Sequence, residues 1–90
     1  MSKQHNIESL VLSKISTILY GEKVSKEQTF EQIDMDSLDM TNLIMQLEEL
    51  LGINYNEKTE GLSRTTTIEE FIAKIDRLVS AKETNEKSED

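Results

Sequence analysis

The chain has 90 residues and a mass of 10.3 kDa, enough for one small domain with one modest core and too short for separate cofactor and substrate lobes. It has no cysteine and a single histidine, His5, which removes disulfides, thiolate metal sites and a cysteine nucleophile and argues against a Ser-His-Asp centre. The 18 acids against 10 Lys and Arg give a net charge of −8, a surface that phosphate backbones repel, so nucleic acid is a poor partner.

The first six residues are polar and read as a flexible N-terminus, and nothing behind them resembles a signal core. From Ile7 the apolar residues fall at Ile7, Leu10, Val11, Ile15 and Ile18, the i, i+3, i+4 spacing of an amphipathic helix, with Leu12 and Leu19 widening the stripe. Gly21 is the expected stop, because glycine accepts the left-handed conformation after a helix end. Residues 22–35 have no helical period and read as a loop anchored by Val24, Phe30 and Ile33.

A second helix is expected from about Ser37 to Leu51, ended by Gly52. At 100° per residue, Met40, Leu43, Ile44, Leu47, Leu50 and Leu51 make a core face. The opposite side carries Leu38 and Met45 among Thr41, Asn42, Glu48 and Glu49, two apolar side chains on an acidic face, which suits a small docking surface. Residues 53–66 read as irregular, with Ile53 and Tyr55 as anchors and one short helical turn near 57–62. The third helix follows Thr66–Thr67, where Thr66 with Glu69 and Thr67 with Glu70 are alternative capping boxes. Its stripe is Ile68, Phe71, Ile72, Ile75, Leu78 and Val79. Residues 81–90, without apolar content after Ala81, read as a disordered polar tail. No segment alternates in the way a strand requires, and no apolar run approaches the ~20 residues that span a bilayer. The expectation is an all-α bundle over residues 7–80 with a long first loop, in a soluble cytoplasmic monomer.

Charge is uneven along this layout. No Lys or Arg stands between Lys26 and Lys58, while Glu27, Glu31, Asp34, Asp36, Asp39, Glu48, Glu49 and Glu57 all do. Those eight acids equal the whole net charge, and such a one-signed patch steers basic partners.

Asp36-Ser37-Leu38-Asp39 opens the second helix. Locally it is a cap: Asp36 or Ser37 accepts from a free helix N–H, and the acids suit the positive end of the dipole. A serine there is also exposed, oriented by the helix and beside N–H groups that favour a phosphate ester. The run Phe30-Glu31-Gln32-Ile33-Asp34-Met35-Asp36-Ser37-Leu38 resembles the signature of the acyl carrier protein family: an aromatic, two residues, leucine, glycine, one residue, then Asp-Ser-Leu. Leu43-Ile44-Met45, Leu47-Glu48-Glu49, Gly52-Ile53, Thr67-Ile68 and the Phe71-to-Ile75 stripe are similar to the family's later helices and their junctions. The resemblance covers about residues 7–80.

The resemblance implies a four-helix bundle, the fourth helix being the short one near 57–62. It implies that Ser37 carries a 4′-phosphopantetheine arm, added from coenzyme A by a phosphopantetheinyl transferase using Mg²⁺, with acyl groups held as thioesters on the arm. It implies no catalysis by the chain itself, which would be a discrete carrier acted on by acyl-loading and acyl-processing enzymes with basic docking patches. The matching docking positions are Asp36, Leu38, Asp39, Met45, Glu48 and Glu49. Asp34 stands where the family has glycine, Asn42 replaces an acid on the docking face, and Thr41 replaces a β-branched apolar residue. The seven-residue step from Phe30 to Ser37 is nearer to polyketide and peptide-synthetase carriers than to the housekeeping fatty-acid carrier. The cargo is open among fatty acyl, polyketide, aminoacyl and related groups.

Three other readings compete. Asp34, Asp36 and Asp39 as acid and base would need a basic partner that is missing. A calcium loop from Asp34 would need an oxygen ligand at 38, glycine at 39 and glutamate at 45, where Leu38, Asp39 and Met45 stand. An unmodified helical adaptor would use the same acidic face with Ser37 as a plain cap.

Overall fold

A computed structural model describes residues 3–56 and 61–89, with the side chains of 7–56 and 61–82. Among the described residues it holds three helices and no strand: α1 Lys3–Ile18, α2 Ser37–Leu51 and α3 Ile68–Glu89. The short helical turn expected near 57–62 falls mostly on residues outside those described. Helix α1 lies against both α2 and α3. The buried core takes Ile7, Val11 and Ile15 from α1, Met40, Leu43, Ile44 and Leu47 from α2, and Ile68, Phe71 and Ile75 from α3. It is one contiguous apolar cluster, as a domain of this size requires.

The two long loops are packed into this core. Phe30 and Met35 are fully buried and Ile53 and Tyr55 nearly so, while Val24 and Ile33 pack at the edge. Phe71 joins them: the Phe30 ring meets it edge-on at 5.5 Å, and Tyr55 meets it tilted at 5.7 Å. The first loop also caps α3. The free N–H groups of Ile68 and Glu69 donate to the carbonyls of Gln28 and Lys26. Of the two capping boxes, Thr67 with Glu70 forms: Thr67 N–H reaches Glu70 Oε1 at 3.1 Å, and Glu70 N–H reaches Thr67 Oγ1 at 3.1 Å. Thr66 Oγ1 instead accepts from Ser63 N–H. An isolated bridge, Thr29 to Thr67, straps the two loops together.

Helix α1 begins at Lys3, before its first apolar residue, and α3 runs to Glu89, past its last one. Residues 3–6 and 82–89 contain no Pro or Gly to interrupt a helix, and apolar content is not needed to continue one already nucleated. Two expectations are corrected. Leu50 is 56% exposed although it shares the apolar side of α2. It lies about 70° from the centre of the buried stripe, on its rim. The stop of α1 is also displaced by one residue. Tyr20, at φ +61°, holds the left-handed position, and Gly21 follows at φ +88°. The N–H of Gly21 reaches Ser16 O at 2.7 Å and that of Tyr20 reaches Thr17 O at 3.2 Å, so Tyr20 occupies the site glycine usually fills.

Candidate functional site

The long loop delivers the chain to α2 through one strained residue. Asp34 adopts φ +66°, the conformation that the family's glycine would take without cost. Its neighbour Met35 is fully buried and held in place: its N–H donates to Phe30 O at 3.0 Å. Asp36 is then extended, at φ −92° and ψ −176°, and its Oδ1 accepts from Asp39 N–H at 2.9 Å. Asp36 is therefore the cap, and Ser37 is the first residue of the helix with its side chain exposed and no capping task.

A cleft of about 130 Å³ runs beside the serine, lined by Ser37, Met40, Thr41, Leu62, Ser63 and Arg64. The far wall is the 61–66 loop, which no pattern in the sequence connects with the serine. It is held there by Glu31 N–H donating to Arg64 O at 2.8 Å and by Arg64 Nε donating to Met35 O at 2.9 Å. An exposed hydroxyl at a helix start, open on one side to a cleft with apolar, hydroxyl and guanidinium groups, fits a phosphate ester with a flexible tail.

The docking residues expected on α2 divide. Leu38 and Met45 are exposed, at 69% and 58%, seven residues and two turns apart on one face. Asp36 and Glu49 are exposed and Asp39 is half-buried. Glu48 is different: half-buried, its Oε2 accepts from Tyr55 N–H at 2.9 Å and so ties the loop after α2 back onto the helix. Helix α2 ends at Gly52, φ +65°, with Lys82 Nζ from α3 donating to Leu51 O at 3.1 Å, a cation on the negative end of the dipole. No helix among the described residues is long and apolar enough to cross a membrane.

A small helical domain presenting a bare serine at the start of an acidic helix is the architecture of a carrier domain. The model of the family described as "Phosphopantetheine attachment site" matches residues 9–75, and the chain belongs to this family, whose cofactor is 4′-phosphopantetheine. Curated relatives include "Acyl carrier protein 2, chloroplastic" of Spinacia oleracea, 33% identical over 75 residues, covering 76% of this chain and 56% of the relative. "Acyl carrier protein, chloroplastic" of Brassica napus is 35% identical over 74 residues, covering 82% and 54%. The chain thus spans about half the length of the curated relatives it matches. No solved structure matches it.

Proposed function

We propose that the chain is a non-catalytic acyl carrier, with Ser37 Oγ as the attachment point of 4′-phosphopantetheine, serving fatty-acid, polyketide or related biosynthesis. The observation that carries this reading is the division of labour at the start of α2: Asp36 caps the helix and leaves Ser37 exposed at its first position. The arm, when attached, supplies a thiol on which an acyl group is held as a thioester; the chain contains no thiol of its own to compete for that group. Helix α2 orients the serine, and the loop at 61–66 walls one side of the space an arm enters.

Asp36, Leu38, Asp39, Met45, Glu48 and Glu49 form the face offered to the transferase and to acyl-processing enzymes. Leu38 and Met45 supply apolar contact, and the acids supply attraction to basic patches. The partners are recognised by that chemistry, basic surfaces with an apolar centre.

The test is intact mass after incubation with coenzyme A, Mg²⁺ and a broad-specificity phosphopantetheinyl transferase, beside Ser37→Ala. One phosphopantetheine gained by the wild type alone is the expected result. No gain in folded protein with more than one transferase would instead favour the unmodified adaptor, built on the same Leu38 and Met45 face.

A further inference from the structure

We propose that Arg64 is a positioning residue for the arm: its guanidinium donates to the phosphodiester that modification places on Ser37 Oγ and directs the arm along the 61–66 loop. The inference rests on the proposed carrier function.

Modification exchanges a neutral hydroxyl for a group with one negative charge. That charge falls at a helix end where Asp36 Oδ1 already occupies one of the free N–H groups, that of Asp39. Asp36 and Asp39 are themselves anionic, so the local field opposes a further anion. The sequence places no cation nearby, since Lys and Arg are absent between residues 26 and 58. The fold provides one. Arg64 stands 29 residues beyond Met35 in the chain, yet its Nε is bonded to Met35 O, one residue before the cap.

Two bonds anchor this residue, one at its backbone and one at its side chain. Glu31 N–H holds the Arg64 carbonyl, and Met35 O holds Nε, so both ends of the residue are tied to the segment leading into Ser37. A guanidinium has five N–H donors in a planar fork, and one is used here. Among the described residues no ion pair engages the others. Arg64 lines the cleft that Ser37 shares with Met40, Thr41, Leu62 and Ser63. A planar cation with free N–H donors beside an incoming phosphodiester is the geometry of charge-assisted recognition.

The experiment compares apo and phosphopantetheinylated full chain, labelled with ¹⁵N, with intact mass confirming conversion. In the wild type the Arg64 Nε–H resonance and the amides of 62–64 should move on conversion, together with those of 36–39. In Arg64→Gln, conversion should still proceed by mass, the shifts at 36–39 should remain, those at 62–64 should be lost, and the ³¹P resonance of the diester should move from its wild-type position. Arg64→Lys, which keeps the charge without the fork, should fall between them. If Arg64→Gln does not fold, the wild-type Nε–H resonance alone decides. An Nε–H resonance unmoved by conversion, or a ³¹P resonance identical in wild type and folded Arg64→Gln, overturns the proposal. Absence of any mass gain would instead reject the carrier function, and this inference with it.

Discussion

Glu48 and Glu49 are adjacent acids that the family resemblance pairs as docking residues, and the structure gives them different work. Glu49→Lys changes an exposed side chain, and its effect on stability should stay within about 0.5 kcal/mol. Glu48→Lys removes the carboxylate that accepts Tyr55 N–H at 2.9 Å. A hydrogen bond to a charged group contributes about 1.5–3 kcal/mol, and the half-exposure of Glu48 brings this toward about 1–2 kcal/mol. With a urea slope of about 1 kcal/mol/M for a domain of this size, the midpoint should fall by about 1–2 M. Glu48→Gln keeps an acceptor and should lie between. Both reversals change net charge equally, so each controls for the other's general electrostatics. In transferase kinetics at low salt, Glu49→Lys should weaken binding about fivefold, near 1 kcal/mol, and the effect should fade at ~1 M salt as the Debye length shrinks to ~3 Å. Equal urea midpoints for Glu48→Lys and Glu49→Lys would refute the structural assignment. An unchanged KM for Glu49→Lys at low ionic strength would refute the docking one.

Other perturbations test separate parts of the fold. Tyr20 is 98% exposed and sits at φ +61°, so Tyr20→Gly should stabilise by about 0.5–1 kcal/mol, while Tyr20→Ala, which keeps the Cβ, should not; thermal midpoints separate the two. Asp36→Ala should lower stability by about 1 kcal/mol through loss of the cap to Asp39 N–H, whereas Ser37→Ala should be nearly neutral in urea unfolding. The Ser25 hydroxyl bonded to Glu27 holds that carboxyl below its ordinary value of 4.5, with the neighbouring backbone N–H and Lys26 assisting. A depressed carboxyl stabilises the fold above the unfolded value and loses that contribution as pH falls through the folded one, so Ser25→Ala should raise the Glu27 midpoint in a ¹³C titration.

How much of this was legible in the sequence depends on the range of the interactions involved. Helical periodicity located all three helices, because an apolar stripe at 3.6 spacing reports a buried face wherever the partner lies. The run from Phe30 to Leu38 points to Ser37 and to the family, and Asp34, standing where the family has glycine, takes a positive φ that the sequence alone does not reveal. The boundaries were less legible. Helix α1 starts earlier and α3 continues further than their apolar residues, since helix propagation needs only adequate propensity in the next residue. Angle alone places Leu50 on the core face, but burial at the rim of a stripe depends on what packs opposite it.

By itself the sequence determined what local chemistry controls: the helices, the candidate attachment serine, the acidic window and the exposed Leu38 and Met45. Tertiary structure alone decided which of the neighbouring acids caps and which ties down a loop. It chose Asp36 over Ser37 at the helix start and engaged Glu48 with Tyr55. It also carried Arg64 across 29 residues to the carbonyl of Met35 and the cleft beside Ser37. No periodicity encodes such a contact, because it is made between two irregular loops whose path is set by Phe30, Met35 and their packing in the common core.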